Sequence, residues 1–494
     1  MSANTVTVST RKLFLGFLAL LFAWSISSAP AAVPDEPAHL VMAQGVWRGD
    51  LSSPMDVPNT PTALMNCYAG VASQSISCAS APWNDDVSPH VTPADSYPPF
   101  YHLLVGWGHF FGDGEMRGYA VRWAAVLLSA IVLSVALRQY LSVQAGAVLR
   151  ASRGSSVSIG FVLLCCTPAA CMYMSSVNPS GLTFSSALAV WIMIGTIRMR
   201  GSFVTADAAL LSTFSTLLIL SRRDSLLWVA FIATAGLVLL LPIILRSLRQ
   251  DLLVGAPFAL PVIATWYQLS NVGGTLANQA VANVGATGNA KDIAWWMSTQ
   301  YSRYFEHMTV TLGWLDTGLP PILNFLVSIV YGGLILMSVA TSRSSALLAS
   351  TSLLYSIAVP IVLITFLSFG YYQGRYSLPV LPGILIALLI TGKKSTPDKS
   401  DLTLNFIQPK SLFFLSFCIQ FIMMWQFIRR NSIGLGGSWN IYSNLEWTPL
   451  LGQSLPLILL IASHLTLFSA IEQDPSEKAA ESDTKWSTET LQHL

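Results

Sequence analysis

Charge is scarce in this sequence. Of 494 residues only 10% are Asp, Glu, Lys or Arg, 53% are hydrophobic, and the mean hydropathy is +0.57. A soluble domain is roughly a quarter charged, so 26 basic and 24 acidic side chains cannot cover a water-facing exterior of this size. That excludes a soluble enzyme, a nucleic-acid binder and a disordered chain, and marks an integral membrane protein. The net charge of +2 selects no partner. Cysteine is scarce as well. Six residues are too few and too scattered for a disulfide scaffold, and Cys165, Cys166, Cys171 and Cys418 lie in apolar runs, where cysteine serves as a small hydrophobe. No Walker loop, dinucleotide fingerprint, zinc-protease His-Glu-x-x-His or nucleophile elbow occurs, so ATP coupling finds no support. Internal repeats, heptads and long low-complexity tracts are missing too.

Long apolar runs are what the chain has instead. A membrane helix needs about 20 mostly apolar residues. Twelve candidates follow one another at 12–32, 117–137, 157–175, 181–198, 203–221, 226–245, 252–270, 318–340, 344–368, 371–391, 411–428 and 448–470. The expected fold is therefore all-α: one polytopic membrane domain over 1–470 with about 12 transmembrane helices. A polar, acidic-leaning tail over 471–494 reads as a disordered cytoplasmic end. Arg11 and Lys12, with Ala29-Pro30-Ala31, also allow the first run to be a cleaved signal peptide. In either case the residues after it emerge outside. With a cytoplasmic N-terminus, sixteen of the 26 basic residues fall on the cytoplasmic side, as the positive-inside rule asks. The soluble mass then lies outside, in a large first loop over 33–116, a second over 271–317 and a shorter one over 429–447.

The first loop holds nine acids, from Asp35 to Glu115, against the single base Arg48. Most of these read as a solvated face. Asp35 and Glu36 stand apart, because they lie within a turn of the bilayer edge between Pro34 and Pro37, which restrict the backbone on both sides. A carboxylate there is placed to act as general base toward a hydroxyl, or to hold a divalent cation (Mg or Mn) that bridges a phosphate. The same residues also suit a plain helix start. His39 would share their face if a helix begins at Pro37, and could bind phosphate or shuttle a proton. Cys67 and Cys78 fall in the same loop, where the redox poise outside a membrane permits a disulfide, and they are expected to pair. The stretch after Tyr97-Pro98-Pro99 is too short to span and suits an interfacial helix. His102 and His109 within it are spaced to face one way, but lack a third metal ligand.

Several arginines lie where the topology rule would not put them. Arg222 and Arg223 join two spans on the outer side, Arg375 opens the tenth span there, and Arg429 and Arg430 end the eleventh. A charge at mid-bilayer costs roughly 2.5–3.5 kcal/mol, so Arg375 should face a polar cavity or snorkel. A guanidinium offers phosphate a planar fork of donors. Arg375, Arg222 and Arg223, and less strongly Arg429 and Arg430, beside an acidic pair thus suit a lipid-phosphate or lipid-pyrophosphate pocket; interfacial anchoring to anionic headgroups, or pairing with Asp224, is the structural alternative. Ahead of the eighth span, Asp316 in Gly313-Trp314-Leu315-Asp316-Thr317 reads by itself as part of a cap.

Five motifs occur in order: Pro34-Asp35-Glu36-Pro37-Ala38-His39, Tyr97-Pro98-Pro99-Phe100-Tyr101, Asn178-Pro179-Ser180-Gly181, Gly313-Trp314-Leu315-Asp316-Thr317 and Gly374-Arg375-Tyr376. The series resembles the bacterial membrane family called domain of unknown function 2142, from about residue 12 to 470. It departs from that pattern at Ser180, where Asp is expected. The family in turn resembles the glycosyltransferase-C superfamily, whose members move a sugar from a polyprenyl-phosphate carrier to an acceptor outside the membrane and keep an acidic residue or pair in the first outer loop. The resemblance implies Asp35 as general base and Glu36 as its assistant or metal ligand. His39, Tyr97, Arg222, Arg223, Asp316 and Arg375 are the expected substrate-binding residues. The partners it implies are a polyprenyl-phosphate-linked sugar donor, an envelope glycan or glycolipid acceptor, and membrane lipid. The implied location is the bacterial plasma (inner) membrane. A transporter or flippase of lipid-linked glycans and a non-catalytic scaffold are the rival classes. Charges gathered at outer span ends, without an inverted repeat, favour the enzyme over a transporter.

Overall fold

The computed structural model describes residues 7–58, 67–78, 83, 85–145, 151–282, 299, 301–341, 343–367, 373–383, 385 and 408–472. The sequence beyond Glu472, most of the expected tail, lies outside them.

The apolar runs fold as helices. In chain order these are α1 (Thr10–Ile26), α2 (Glu36–Arg48), α3 (Phe100–Gly106), α4 (Glu115–Ala145), α5 (Ala151–Cys165), α6 (Pro168–Met174), α7 (Pro179–Arg200) and α8 (Thr205–Ser221). Then come α9 (Ser225–Gln250), α10 (Ala259–Ala282), α11 (Tyr301–Thr309), α12 (Pro321–Thr341), α13 (Arg343–Leu367), α14 (Pro409–Ile433) and α15 (Ser454–Phe468). By length and composition six described helices qualify as membrane spans, or seven if the bent pair α5–α6 counts as one, against the twelve expected. Helices α1, α8 and α15 are shorter apolar helices of 17, 17 and 15 residues, at or below the lower end of the spanning range. The expected run 371–391 opens as a 3-10 helix over Gly374–Val380.

The expected straight span 157–175 is instead broken by a 76° bend between α5 and α6. Thr167 caps α6 by accepting the Ala170 N–H at 3.1 Å, and Pro168 takes the first turn, where its missing N–H leaves no bond unmade. Gln420 of α14 donates to the Cys166 carbonyl at the break and accepts from Trp24 Nε1 at 2.8 Å. The polar groups opened by the bend are thereby satisfied inside the bundle.

Helix α7 is the centre. Every residue of its apolar window is buried, against 33% for α9 and 22% for α12, whose remaining surface is left for lipid. It packs on α4, α6, α8 and α9. Its start is built from Asn178-Pro179-Ser180-Gly181. Asn178 Oδ1 accepts from the Ser180 N–H at 2.9 Å, Pro179 sits in the first turn, and Gly181 lies so close to the Tyr173 carbonyl that no Cβ fits.

At one end of the bundle Thr7–Val8 pairs antiparallel with Ile471–Glu472, so the tail begins as a strand. At the other end the loops assigned to the outer side meet. The first loop contributes buried α2, an antiparallel pair of strands Met55–Pro58 and Val87–His90, and the Cys67–Cys78 disulfide. It also supplies α3 and a 3-10 turn over Trp107–Phe110, where Leu103, Trp107, Phe110 and Phe111 stay exposed, as suits a helix lying at an interface.

Candidate active site

Two adjacent carboxylates at the start of α2 have opposite fates. Asp35 precedes the helix in the left-handed region at φ 63°, an uncommon conformation for a residue other than glycine that Asp tolerates better than most. The αL backbone turns consecutive side chains apart. Glu36 points into the protein and is completely buried. Its Oε1 accepts from Arg122 Nε at 2.6 Å and from the Val177 N–H at 3.0 Å; its Oε2 accepts from Arg122 Nη2 at 2.5 Å and the Val33 N–H at 3.3 Å. Arg122 of α4 spends its other donors on the carbonyls of Ser25, Ser28 and Ala29, at 2.7–2.8 Å. This is a closed network. It holds the end of α1, the start of α2 and the approach to α7 together, and it leaves Glu36 no free lone pair for a proton or a metal. Glu36, expected as assistant or metal ligand, thus faces Arg122 inside the protein, on the opposite side from Asp35 and Arg375.

Asp35 points the other way and keeps 40% of its side chain exposed. Its Oδ2 accepts from Arg375 Nη2 at 2.7 Å, and its Oδ1 has no partner among the described residues. Arg375, by contrast, is 3% exposed. It reaches the Tyr173 hydroxyl at 3.2 Å and the Tyr376 hydroxyl at 3.3 Å, and its Nε finds no partner among the described residues. Gly374 makes this placement feasible, because the Tyr304 carbonyl of α11 occupies the space a side chain would need.

Arg222 lies beside this pair. The Tyr97 and Tyr376 rings lie 5.5 and 5.1 Å from its guanidinium carbon, and Tyr376 is also 5.1 Å from that of Arg375. Arg222 donates to Asp224 Oδ1 at 2.8 Å and to Ser180 Oγ at 2.8 Å. The serine that departs from the family pattern thus still serves as an acceptor for the arginine. Ser180, Thr183, Arg222, Asp224, Trp228, Arg375, Tyr376 and Pro379 line one small recess. Arg223 is half-buried and takes no part in an ion pair among the described residues.

His39, one turn into α2, meets Tyr97 edge-on at 5.0 Å and shares a 3.1 Å hydrogen bond between its Nδ1 and His102 Nε2. Burial, with the Arg222 and Arg375 charges nearby, pushes His39 down to about 3, and burial holds His102 well below the ordinary histidine range. Both are neutral. His109 bonds the Gly106 carbonyl instead, so it does not pair with His102.

Asp316 is drawn elsewhere. It accepts from Arg430 Nη2 at 2.8 Å, both side chains nearly inaccessible, and Arg430 lies over the Tyr68 ring at 3.9 Å and donates to the Tyr68 and Gln74 carbonyls. Its turn is set by Gly313 at φ 57° and Leu315 at φ 62°, with Leu312 and Thr317 bridged. Asp316, expected among the substrate-binding residues, is held by Arg430, which joins its turn to the loop of Tyr68 and Gln74. Cys67 and Cys78, joined as a disulfide with Cα atoms 6.1 Å apart, close the loop that Arg430 grips. Arg429 bonds the carbonyls of Leu435, Gly437 and Ser438.

No three His, Cys, Asp or Glu side chains gather as a cation site among the described residues. In this structure Asp35 is paired with Arg375 and Glu36 with Arg122, so the acidic pair does not form the all-oxygen donor set that a divalent cation needs. Arg122 and Tyr173 belong to none of the sequence motifs above. Arg122 carried a signal: an arginine inside an apolar run must find a buried partner. Tyr173 carried none.

Against known families, the model described as "Predicted membrane protein (DUF2142)" matches residues 18–384. No curated protein matches significantly. Two solved structures of ArnT from Cupriavidus metallidurans are similar. The one bound to undecaprenyl phosphate aligns over 93% of this chain and 76% of its own, at 13% identity and a TM-score of 0.38. The one in the apo state aligns over 93% and 75%, at 12% identity and a TM-score of 0.41. With the family match covering most of its length, the chain belongs to the DUF2142 family of membrane proteins.

Proposed function

We propose that the chain is a glycosyltransferase of glycosyltransferase-C type, acting on the outer face of the bacterial plasma membrane in envelope glycan assembly. Its donor is a sugar linked to a polyprenyl phosphate, and its acceptor is a glycan or glycolipid hydroxyl. The observation that carries this reading is the 2.7 Å contact between half-exposed Asp35 and buried Arg375, with Arg222 alongside. A water-accessible carboxylate beside two anchored guanidinium groups matches what the reaction needs. Asp35 takes the proton of the acceptor hydroxyl as its oxygen bonds to the anomeric carbon. The bond from that carbon to the phosphate oxygen breaks, and the electron pair leaves with the phosphate, where Arg375 and Arg222 receive the developing charge. One displacement from the opposite face inverts the anomeric centre.

The test is Asp35→Asn in the native host, with envelope glycan composition as readout. Asn is isosteric and tolerates the left-handed backbone, so the variant should reach the membrane at normal levels and lack the glycan. An unchanged glycan at normal protein levels refutes the base assignment.

A further inference from the structure

Arg375 is held in an incomplete way. Its side chain is 3% exposed, yet among the described residues it meets one anionic oxygen, through one nitrogen, while two neutral hydroxyls take two more of its terminal N–H groups and Nε finds no acceptor. Arg122 in the same protein shows the finished arrangement, with both oxygens of a carboxylate on its fork and carbonyls on the rest. A buried guanidinium with an orphaned N–H is a site for an anion richer in oxygens than a singly bound carboxylate. A phosphate group offers that. Asp35 is the exposed partner of the pair: 40% of its side chain is accessible, and its Oδ1 is uncommitted among the described residues.

We infer that Asp35 is a placeholder on Arg375, which a phosphate group of a lipid-linked ligand displaces on binding, releasing the carboxylate toward the acceptor side of the site. The inference rests on the proposed function and adds an order to it. While Asp35 pairs with Arg375, one of its oxygens is tied up and the base is masked. Arrival of the phosphate exchanges one anion for another on the guanidinium, and no covalent bond changes. Donor therefore binds first, and the base is exposed only when there is a leaving group to expel.

The experiment is a binding titration of the full chain in nanodiscs. Farnesyl phosphate is the probe, with farnesol and inorganic phosphate run in parallel. Removing the internal competitor in Asp35→Asn should tighten farnesyl phosphate binding about tenfold, the scale of an ordinary coupling between sites. Farnesol should gain nothing. Asp35→Gly, which suits φ 63° and has no side chain, should show the same gain and covers the case in which the amide itself disturbs the site. Arg375→Gln should abolish binding in either background. A gain for inorganic phosphate equal to that for farnesyl phosphate keeps the placeholder and assigns it to the headgroup alone. Equal or weaker farnesyl phosphate binding in both Asp35 variants overturns the placeholder while leaving the proposed function standing. Failure of every variant and the wild type to bind farnesyl phosphate overturns the proposed function itself.

Discussion

Glu36 and Arg122 are 86 positions apart and form a two-pronged ion pair with both side chains sealed from solvent. Because Glu36 is turned inward by this pair, its neighbour Asp35 is turned outward, and the αL backbone between them is what makes the two directions compatible. Strain of this kind persists only where the surroundings over-determine it. Here α4, α1 and the start of α7 all grip the Glu36 side.

Breaking that pair should be costly. Glu36→Gln or Arg122→Gln leaves one buried charge uncompensated, with an expected loss of about 3–5 kcal/mol. The melting temperature of the purified protein checks it. The double change to Glu36→Leu and Arg122→Met should melt above either single variant, because it removes both charges. Single variants that melt like the wild type would show that the anchor carries no weight.

Arg375→Lys keeps the charge and loses the fork. Transfer from a lipid-linked donor should fall about 10²–10³-fold, the usual effect of removing one donor aimed at developing charge, while the protein still accumulates in the membrane. An activity within a few-fold of wild type would show that the fork is not used.

The buried histidines predict acid sensitivity, and the sign follows from burial. His39 is neutral in the fold down to about pH 3, whereas the unfolded chain takes up a proton near the ordinary value of 6.5. Unfolded protein binds more protons between these limits, so stability is complete above pH 6.5 and declines as pH falls toward 3, by up to about 1.4 kcal/mol per pH unit. Comparing melting temperatures at pH 7.5 and 5 tests this. His39→Gln should flatten the dependence; an unchanged slope would assign it to other groups.

The Cys67–Cys78 bridge should matter to the loop cluster. It encloses Tyr68 and Gln74, whose carbonyls Arg430 holds, and Ser75 and Ser77, which donate to Glu446. Cys67→Ser should lower stability by about 2–4 kcal/mol, and mass spectrometry without reductant should recover the two cysteines as one linked peptide. Free thiols at both positions would contradict the bridge.

Arg430→Lys should likewise lower the melting temperature, since Lys cannot serve Asp316 and two carbonyls at once. Adding Asp316→Asn should cost little more. Additive losses from the two changes would mean that they act separately.

The sequence by itself determined the solvent this protein lives in. Fifty charges against so many apolar residues admit only a helical membrane protein, and apolar runs of the required length mark where its helices lie, because hydrophobicity is a local property. The Pro34–His39 segment, Arg222 and Arg375 stand out in the sequence as candidates, since charge near a membrane edge is rare. Which carboxylate faces the site is not legible there. Asp35 and Glu36 are adjacent and chemically alike, and only the position of Arg122 on another helix decides between them. The same holds for Asp316, drawn to Arg430 rather than to Arg375, and for the bend at Thr167-Pro168, which depends on Gln420 from α14. Partners for buried charge are contributed by segments distant in the chain, and packing alone brings them within hydrogen-bonding distance.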